Sequence, residues 1–394
     1  MASVREVVQR RWRAPAVVAL LVIWWAGWAW WALAASGSFV SGISWHFFAD
    51  GGHGLVSTWG IHLYGEHPEL QVGPVALLAA ALLQAWGATL GKVLALTLMA
   101  LAGPGMVLAL SGLVGGPRKQ VRLVVALLVL APGWLDLALR WGHLDDVLAM
   151  VGAVGAVRAV HAGKGWVAGL WLAFAIGAKP WALGFVPVVL ALPGEVLIAL
   201  AVAGAGTCVA WAPFLIGDSR TVSALHPPVA LVQHSGLHAL GARGEVVPAW
   251  GRTVQLLATP AVAAVAALRG HWPGVLVIAV AVRIATDPQD NAYYIGSAAM
   301  AALVFDLVVT GWLVPWTTVV TTLVLWQPYT VDYLSWRSRT SGLNHSWFAH
   351  PGTVGGLHLL WALAVTVLVM RYDRQSPQPI GITSNGAANG TPIR

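Results

Sequence analysis

Charge is the scarcest ingredient of this chain. Of its 394 residues only 9% are Asp, Glu, Lys or Arg, while 58% are hydrophobic. Soluble domains carry charge on about a quarter of their residues, so a water-soluble globular fold is excluded. Cysteine is scarcer still. Cys208 stands alone, which rules out an intramolecular disulfide and a cysteine zinc site. Neither a Rossmann glycine fingerprint nor a P-loop is present, so no motif marks a nucleotide phosphate site. The net charge of +7 is no nucleic-acid footprint either. The Lys and Arg residues are scattered at the ends of apolar runs, with no basic stripe interleaved with aromatics. Polar–apolar alternation is also missing, which excludes a transmembrane β-barrel. No internal repeat is evident.

What the chain has instead is long apolar stretches, recurring from residue 15 to residue 371. Runs of about 20 apolar residues mark membrane helices. The expected fold is therefore all-α, a polytopic transmembrane helical bundle of about 12 membrane segments, within a range of roughly 10–13. Spans are expected over 15–35, 121–139, 147–162, 165–178, 181–193, 195–217, 253–268, 272–286, 293–310, 312–326 and 353–371. The stretch 73–113 reads as a short outer-leaflet or re-entrant helix followed by one span. Several runs are short for a perpendicular crossing, so tilted or broken helices are expected.

Residues 1–14 carry Arg5, Arg10, Arg11 and Arg13 and form a cytoplasmic N-terminus ahead of an uncleaved signal-anchor. Residues 15–371 form one transmembrane domain with outer loops at 36–72, 218–252 and 327–352. Residues 372–394, rich in Ser, Pro, Gly and Asn, read as a disordered cytoplasmic tail. The expected setting is the bacterial plasma membrane, crossed many times, with both termini in the cytoplasm.

This topology gathers the chemically useful residues on the outer side. In "SWHFFADGGHGL", residues 44–55, Asp50 precedes Gly51-Gly52, which let the backbone come close to a ligand. The acid is either a general base or a solvated loop acid or cap. His46 and His53 lie at i−4 and i+3, a spacing that puts three metal ligands on one helix face, although the glycine pair would interrupt such a helix. Lys179 precedes Pro180 in an apolar run, where an ammonium costs a few kcal/mol unless paired. It meets a phosphate as a point charge or snorkels to the headgroups.

"WGHLDDVLA" places His143, Asp145 and Asp146 at a helix start, as caps or as sugar contacts. Asp136 and Arg140 should pair at i,i+4. Arg283 and Asp306, both in apolar runs, are expected to pair across helices. The 327–352 loop mixes Arg337, Arg339, His345 and His350 with Tyr and Trp. That suits a clamp on a lipid phosphate, or equally an aromatic belt. Residues 226–241 read as an amphipathic interfacial helix.

Taken together, several stretches resemble a known family. An acid soon after the first membrane helix, then "LYG" at 63–65, then "QVGPVALL" at 71–78, is similar to the glycosyltransferase-C superfamily. The nearest likeness is to its bacterial mannosyltransferases that use polyprenyl-phosphate mannose. "RWGHLDDVLAMVGAVGAVRA" at 140–159 and "GLWLAFAIGAKPWALGFVPVVLAL" at 169–192 resemble the family's polar helix start and Lys-Pro junction. "TDPQDNAYYIGSAAM" at 286–300 resembles a helix entry of related membrane proteins.

The resemblance implies a catalytic first outer loop and an inverting transfer, on the outer face, of a sugar such as mannose from a polyprenyl phosphate to a lipid or glycan acceptor. Asp50 would be the base. Lys179, Arg337, Arg339 and His345 would bind the donor phosphate, and His46, His53, Tyr64, His143, Asp145 and Tyr293 the substrates. No cofactor is implied, and a divalent metal is left open. The partners would be the donor, the acceptor and membrane lipids, without nucleic acid. The alternative is a lipid-linked sugar flippase or another secondary transporter. That class would show acids or broken helices near the midplane and matched repeats.

Overall fold

Within a membrane a backbone satisfies its N–H and C=O groups by closing them into helices. The computed structural model of this chain is helical accordingly. It describes residues 4–34, 41–70, 72–224, 229–289, 291–337 and 351–372, with side chains in 15–34, 41–70, 72–224, 229–289, 291–326 and 352–372. The helices are α1 (Val4–Ala34), α2 (Trp45–Val56), α3 (Leu63–Glu66), α4 (Pro74–Gln84), α5 (Ala88–Leu110), α6 (Lys119–Leu135), α7 (Leu144–His161) and α8 (Gly165–Ala178). They continue as α9 (Val196–Gly217), α10 (Arg220–Ala224), α11 (Gly236–Ala239), α12 (Ala249–Leu268), α13 (Val275–Thr286), α14 (Tyr294–Val308), α15 (Trp316–Arg337) and α16 (Pro351–Arg371). Among the described residues the extended pairing is limited to one isolated bridge, Ala230 to Val246.

Among the described residues six helices are long and apolar enough to cross a membrane: 15–34, 88–113, 119–141, 196–217, 249–268 and 352–371. That is half of the twelve or so expected. Six further apolar helices have only 10–17 residues, among them α4, α8, α13 and α14. The bundle is therefore a helical membrane protein whose interior is built largely of short elements. Leu197, Val209 and Ile216 on α9 and Leu82 on α4 are among the most exposed apolar side chains, as a lipid-facing surface requires. α13 and α14 are buried nearly all round.

Local chemistry explains the irregular pieces. After Lys179 the chain runs as a 3-10 helix from Pro180 to Ala191, with Pro187 inside it. Both prolines lack the N–H that an α-helix would use, and the residue before Pro180 is driven extended (Lys179 φ −150°, ψ 117°). α6 passes into a π-helical turn, Asp136–Trp141, which Gly142 ends in the left-handed conformation at φ +66°. Asp136 accepts from Arg140 there at 3.2 Å, the pairing their spacing predicted.

Several expectations need correction. The described part of the first outer loop, residues 41–70, is largely helical, carrying α2, a 3-10 turn at Gly60–His62 and α3. Gly51 and Gly52 do not interrupt α2. They let it press on α4, where a Cβ at Gly52 would lie 2.8 Å from Ala81 N and Leu77 O. α15 continues to Arg337, into the stretch expected as the 327–352 loop, and residues 338–350 lie outside the described residues. Within 226–241 the described helix is only the one turn of α11, not an interfacial helix. The reading of 73–113 as a short helix and one span matches α4 and α5.

Arg283 and Asp306 do not pair. Asp306 accepts from the backbone and hydroxyl of Thr318, both at 2.8 Å, at the start of α15. Arg283 lies 3.7 Å from Asp287, one turn along its own helix.

Candidate functional site

At one end of the bundle α6, α8 and α13 finish, α7 and α14 begin, and the first outer segment folds over them. Three backbone hydrogen bonds fasten that segment: Gly42, Ile43 and Ser44 donate to Leu139, Arg140 and Trp141 at 2.7–2.9 Å. Gly42 and Gly142, both left-handed, meet there, and a Cβ on Gly142 would lie 2.7 Å from Gly42 Cα. A fourth bond, Gly73 N to Ala178 O at 3.0 Å, ties the start of α4 to the end of α8. These ties set the place of every polar group that follows.

The centre of the site is Lys179. Its Nζ is 3.0 Å from Asp145 Oδ2 and donates to Asp146 Oδ2 at short range, and all three residues are buried. His143 Nδ1 lies 3.4 Å from Asp145 Oδ1 and 3.6 Å from Asp146 Oδ2. Ser297 Oγ on α14 donates to Asp146 Oδ1 at 3.5 Å. The imidazole stacks on Tyr293 with centroids 3.4 Å apart, and Lys179 Nζ lies 5.4 Å from the same ring. Phe48 of α2 meets the imidazole edge-on at 5.9 Å. Lys179, stranded by Pro180 at a helix end, is thus stabilised by two carboxylates rather than by water or headgroups.

His143, Asp145 and Asp146 each bring a ligand atom within 4.8 Å of the others, a donor set suited to a divalent cation. The Lys179 ammonium touches both carboxylates, so it occupies the position such a cation would take. Metal binding at these residues would require Lys179 to swing away.

The remaining predicted residues are dispersed. Asp50 is exposed on α2, two residues beyond Phe48, and no ion pair or hydrogen bond reaches its carboxylate among the described residues. His46 and His53 share its exposed helix face, with His46 Nδ1 2.9 Å from Ile43 O. Asp50 therefore does not meet Lys179, whose charge is taken up by the other two acids. Tyr64 is a core residue: its hydroxyl donates to Val72 O at 2.7 Å and its ring packs on Trp211 and Phe214. The Arg337 side chain, Arg339 and His345 lie outside the described residues.

No known protein family matches this chain, and neither does any curated protein or solved structure.

An apolar cavity of about 560 Å³ lies between α4, α8, α9 and the first outer segment. Val75, Leu78, Phe174, Val209 and Phe214 line it, with the small Gly206 and Ala210 leaving room. Phe174, on the cavity wall, lies in α8 one turn before its last residue, Ala178, which Lys179 follows. Sequence reasoning passed over Ser297 and Trp181 and misjudged the partner of Arg283. A single serine or tryptophan in an apolar run carries no distinguishing pattern, whereas a lone arginine there does.

Proposed function

We propose that this chain is a membrane glycosyltransferase that moves a sugar, mannose by resemblance, from a polyprenyl phosphate to a lipid or glycan acceptor. The observation that carries the reading is the pairing of two surfaces. A buried cluster of acids, lysine, imidazole and tyrosine sits where α8 ends and α7 begins, and an apolar cavity lies between α4, α8, α9 and the first outer segment. Carboxylates and aromatic rings are the groups that hold sugar hydroxyls and sugar faces, and an apolar trough suits an isoprenoid chain. In this reading the acceptor oxygen attacks the anomeric carbon and Asp50 takes its proton. The bond from that carbon to the phosphate oxygen breaks with inversion, and the lipid phosphate departs. Asp145 and Asp146 hold sugar hydroxyls, His143 and Tyr293 present a stacked face, and Lys179 pairs with the two acids. The crossing of about twelve segments, the outer-face placement and the bacterial plasma membrane belong to the same proposal.

The test is sugar transfer by the purified protein from radiolabelled polyprenyl-phosphate mannose into a crude lipid extract. Wild type should transfer label. Asp50→Asn should lose about 100-fold or more of turnover, the usual contribution of a positioned base. Transfer undiminished by that substitution would remove Asp50 from the mechanism.

One observation favours a second reading. A buried Lys–Asp–Asp cluster beside a proline-broken helix is also what carriers use. A flippase would move a fluorescent polyprenyl-linked sugar across proteoliposomes without chemical change. A transferase would leave it in place.

A further inference from the structure

The polar layer continues past Lys179 to Arg283, where hydrogen bonding does not close. The guanidinium is buried and lies between two rings, 4.4 Å from the Trp181 centroid and 4.2 Å from that of Tyr294. Asp287 is its ion-pair partner only at 3.7 Å, beyond hydrogen-bond reach. That carboxylate is engaged elsewhere, accepting from Gln255 Nε2 at 3.2 Å and from Gln289 N at 2.9 Å. Among the described residues Arg283 Nη1 is buried with no hydrogen-bond partner, and so is Nε1 of Trp181, on the ring beside it. An unmet buried donor costs about 1–3 kcal/mol, and more on a charged group. Two such donors on stacked groups mark the place of a missing acceptor.

The geometry points to an oxyanion subsite: we propose that Arg283 Nη1 and Trp181 Nε1 hold an oxygen of the donor's lipid phosphate. The identity of that phosphate rests on the transferase reading above. Lys179 is a poor alternative because Asp145 and Asp146 already neutralise it. A guanidinium clamped between two aromatic faces presents only its edge, and the edge is where its donors point. An indole N–H donates and never accepts, so the acceptor must come from the ligand.

The experiment compares farnesyl phosphate with farnesol as ligands of the full-length protein in nanodiscs, by calorimetric titration. Wild type should prefer the phosphate. Trp181→Phe keeps the stacking ring and removes only the N–H. It should weaken farnesyl phosphate about tenfold and leave farnesol unchanged. Arg283→Gln should abolish the preference for phosphate over alcohol; if that variant does not fold, Trp181→Phe alone decides. Phosphate binding by Trp181→Phe equal to wild type would overturn the subsite while leaving the transferase reading intact. A wild type that makes no distinction between phosphate and alcohol would overturn both.

Discussion

Lys179 has the most consequential side chain in the molecule. Removing one member of a buried ion pair strands the others and costs about 3–5 kcal/mol. Lys179→Met leaves Asp145 and Asp146 buried and facing one another, so it should lower the melting temperature of the detergent-solubilised protein sharply. Adding Asp146→Asn to Lys179→Met should recover part of that loss, because one stranded charge goes with it. A double-mutant cycle with a coupling energy near zero would show that the three groups do not act as a unit.

Asp218, at the end of α9, carries a different kind of test. Its hydrogen bonds from Arg220, at 2.6–3.1 Å through the side chain and 2.9 Å through the backbone, hold its carboxyl well below the usual carboxylate range. His62 adds a contact at 3.3 Å, and Gly65 packs so close that a Cβ there would lie 2.4 Å from Asp218 Oδ2. The acid therefore fastens the first outer segment to α9. A carboxyl titrating lower folded than unfolded stabilises fully above its unfolded value of about 3.9, and that stability fades as pH falls below it. Asp218→Asn should melt lower than wild type at pH 7, and the gap should narrow as the pH is brought down through 4. A gap independent of pH would assign the loss to packing.

At the scale of elements, the seam between α2 and α4 sets where Asp50 stands. Gly52 meets backbone atoms that cannot move aside, so even Gly52→Ala should force the helices apart and destabilise by about 1–3 kcal/mol. Gly27 on α1 has nothing within 4 Å of a built Cβ, so Gly27→Ala should be neutral or slightly stabilising. If both substitutions melt like wild type, α2 is not seated on α4 as described.

This seam also shows what could be read in advance. The helical class and the grouping of His143 with Asp145 followed from hydropathy and charge, which are local properties. The fate of Gly51-Gly52 did not. Glycine lowers intrinsic helix propensity, and only the approach of a second helix turns that cost into an advantage. Likewise the lone Lys179 and the paired acids at 145 and 146 each stood out, but their meeting depends on α7 beginning at the level where α8 ends, which no pattern states. Length and apolarity single out six crossing helices among the described residues, because helices buried by neighbours need not be long enough to cross alone. α13 has 12 residues and α14 has 15.

For the whole molecule, the two ends of the bundle differ in what their buried charges do. At the end away from Lys179, Arg122 donates to the carbonyls of Asp306, Leu307 and Thr310, closing the last turn of α14, and to Trp312 O at 2.9 Å. Glu195 there accepts from Gly165 N at the start of α8. Those charges cap helices and meet only backbone. At the Lys179 end the charges meet each other, and among the described residues Arg283 Nη1 is left without a hydrogen-bond partner.

A transferase fed by an outer-leaflet lipid requires this second end to face out. Positive charge at the other end, in Arg118, Lys119, Arg158, Lys164 and Arg269, agrees with that orientation by the positive-inside rule. The sidedness can be read in cells carrying Cys208→Ser, with one new cysteine at exposed Ser57 or at exposed Lys164. A membrane-impermeant maleimide should label Ser57→Cys in intact cells and Lys164→Cys only after permeabilisation. The reverse pattern would put Asp50 and the Lys179 cluster in the cytoplasm, where an outer-face sugar transfer has no place for them.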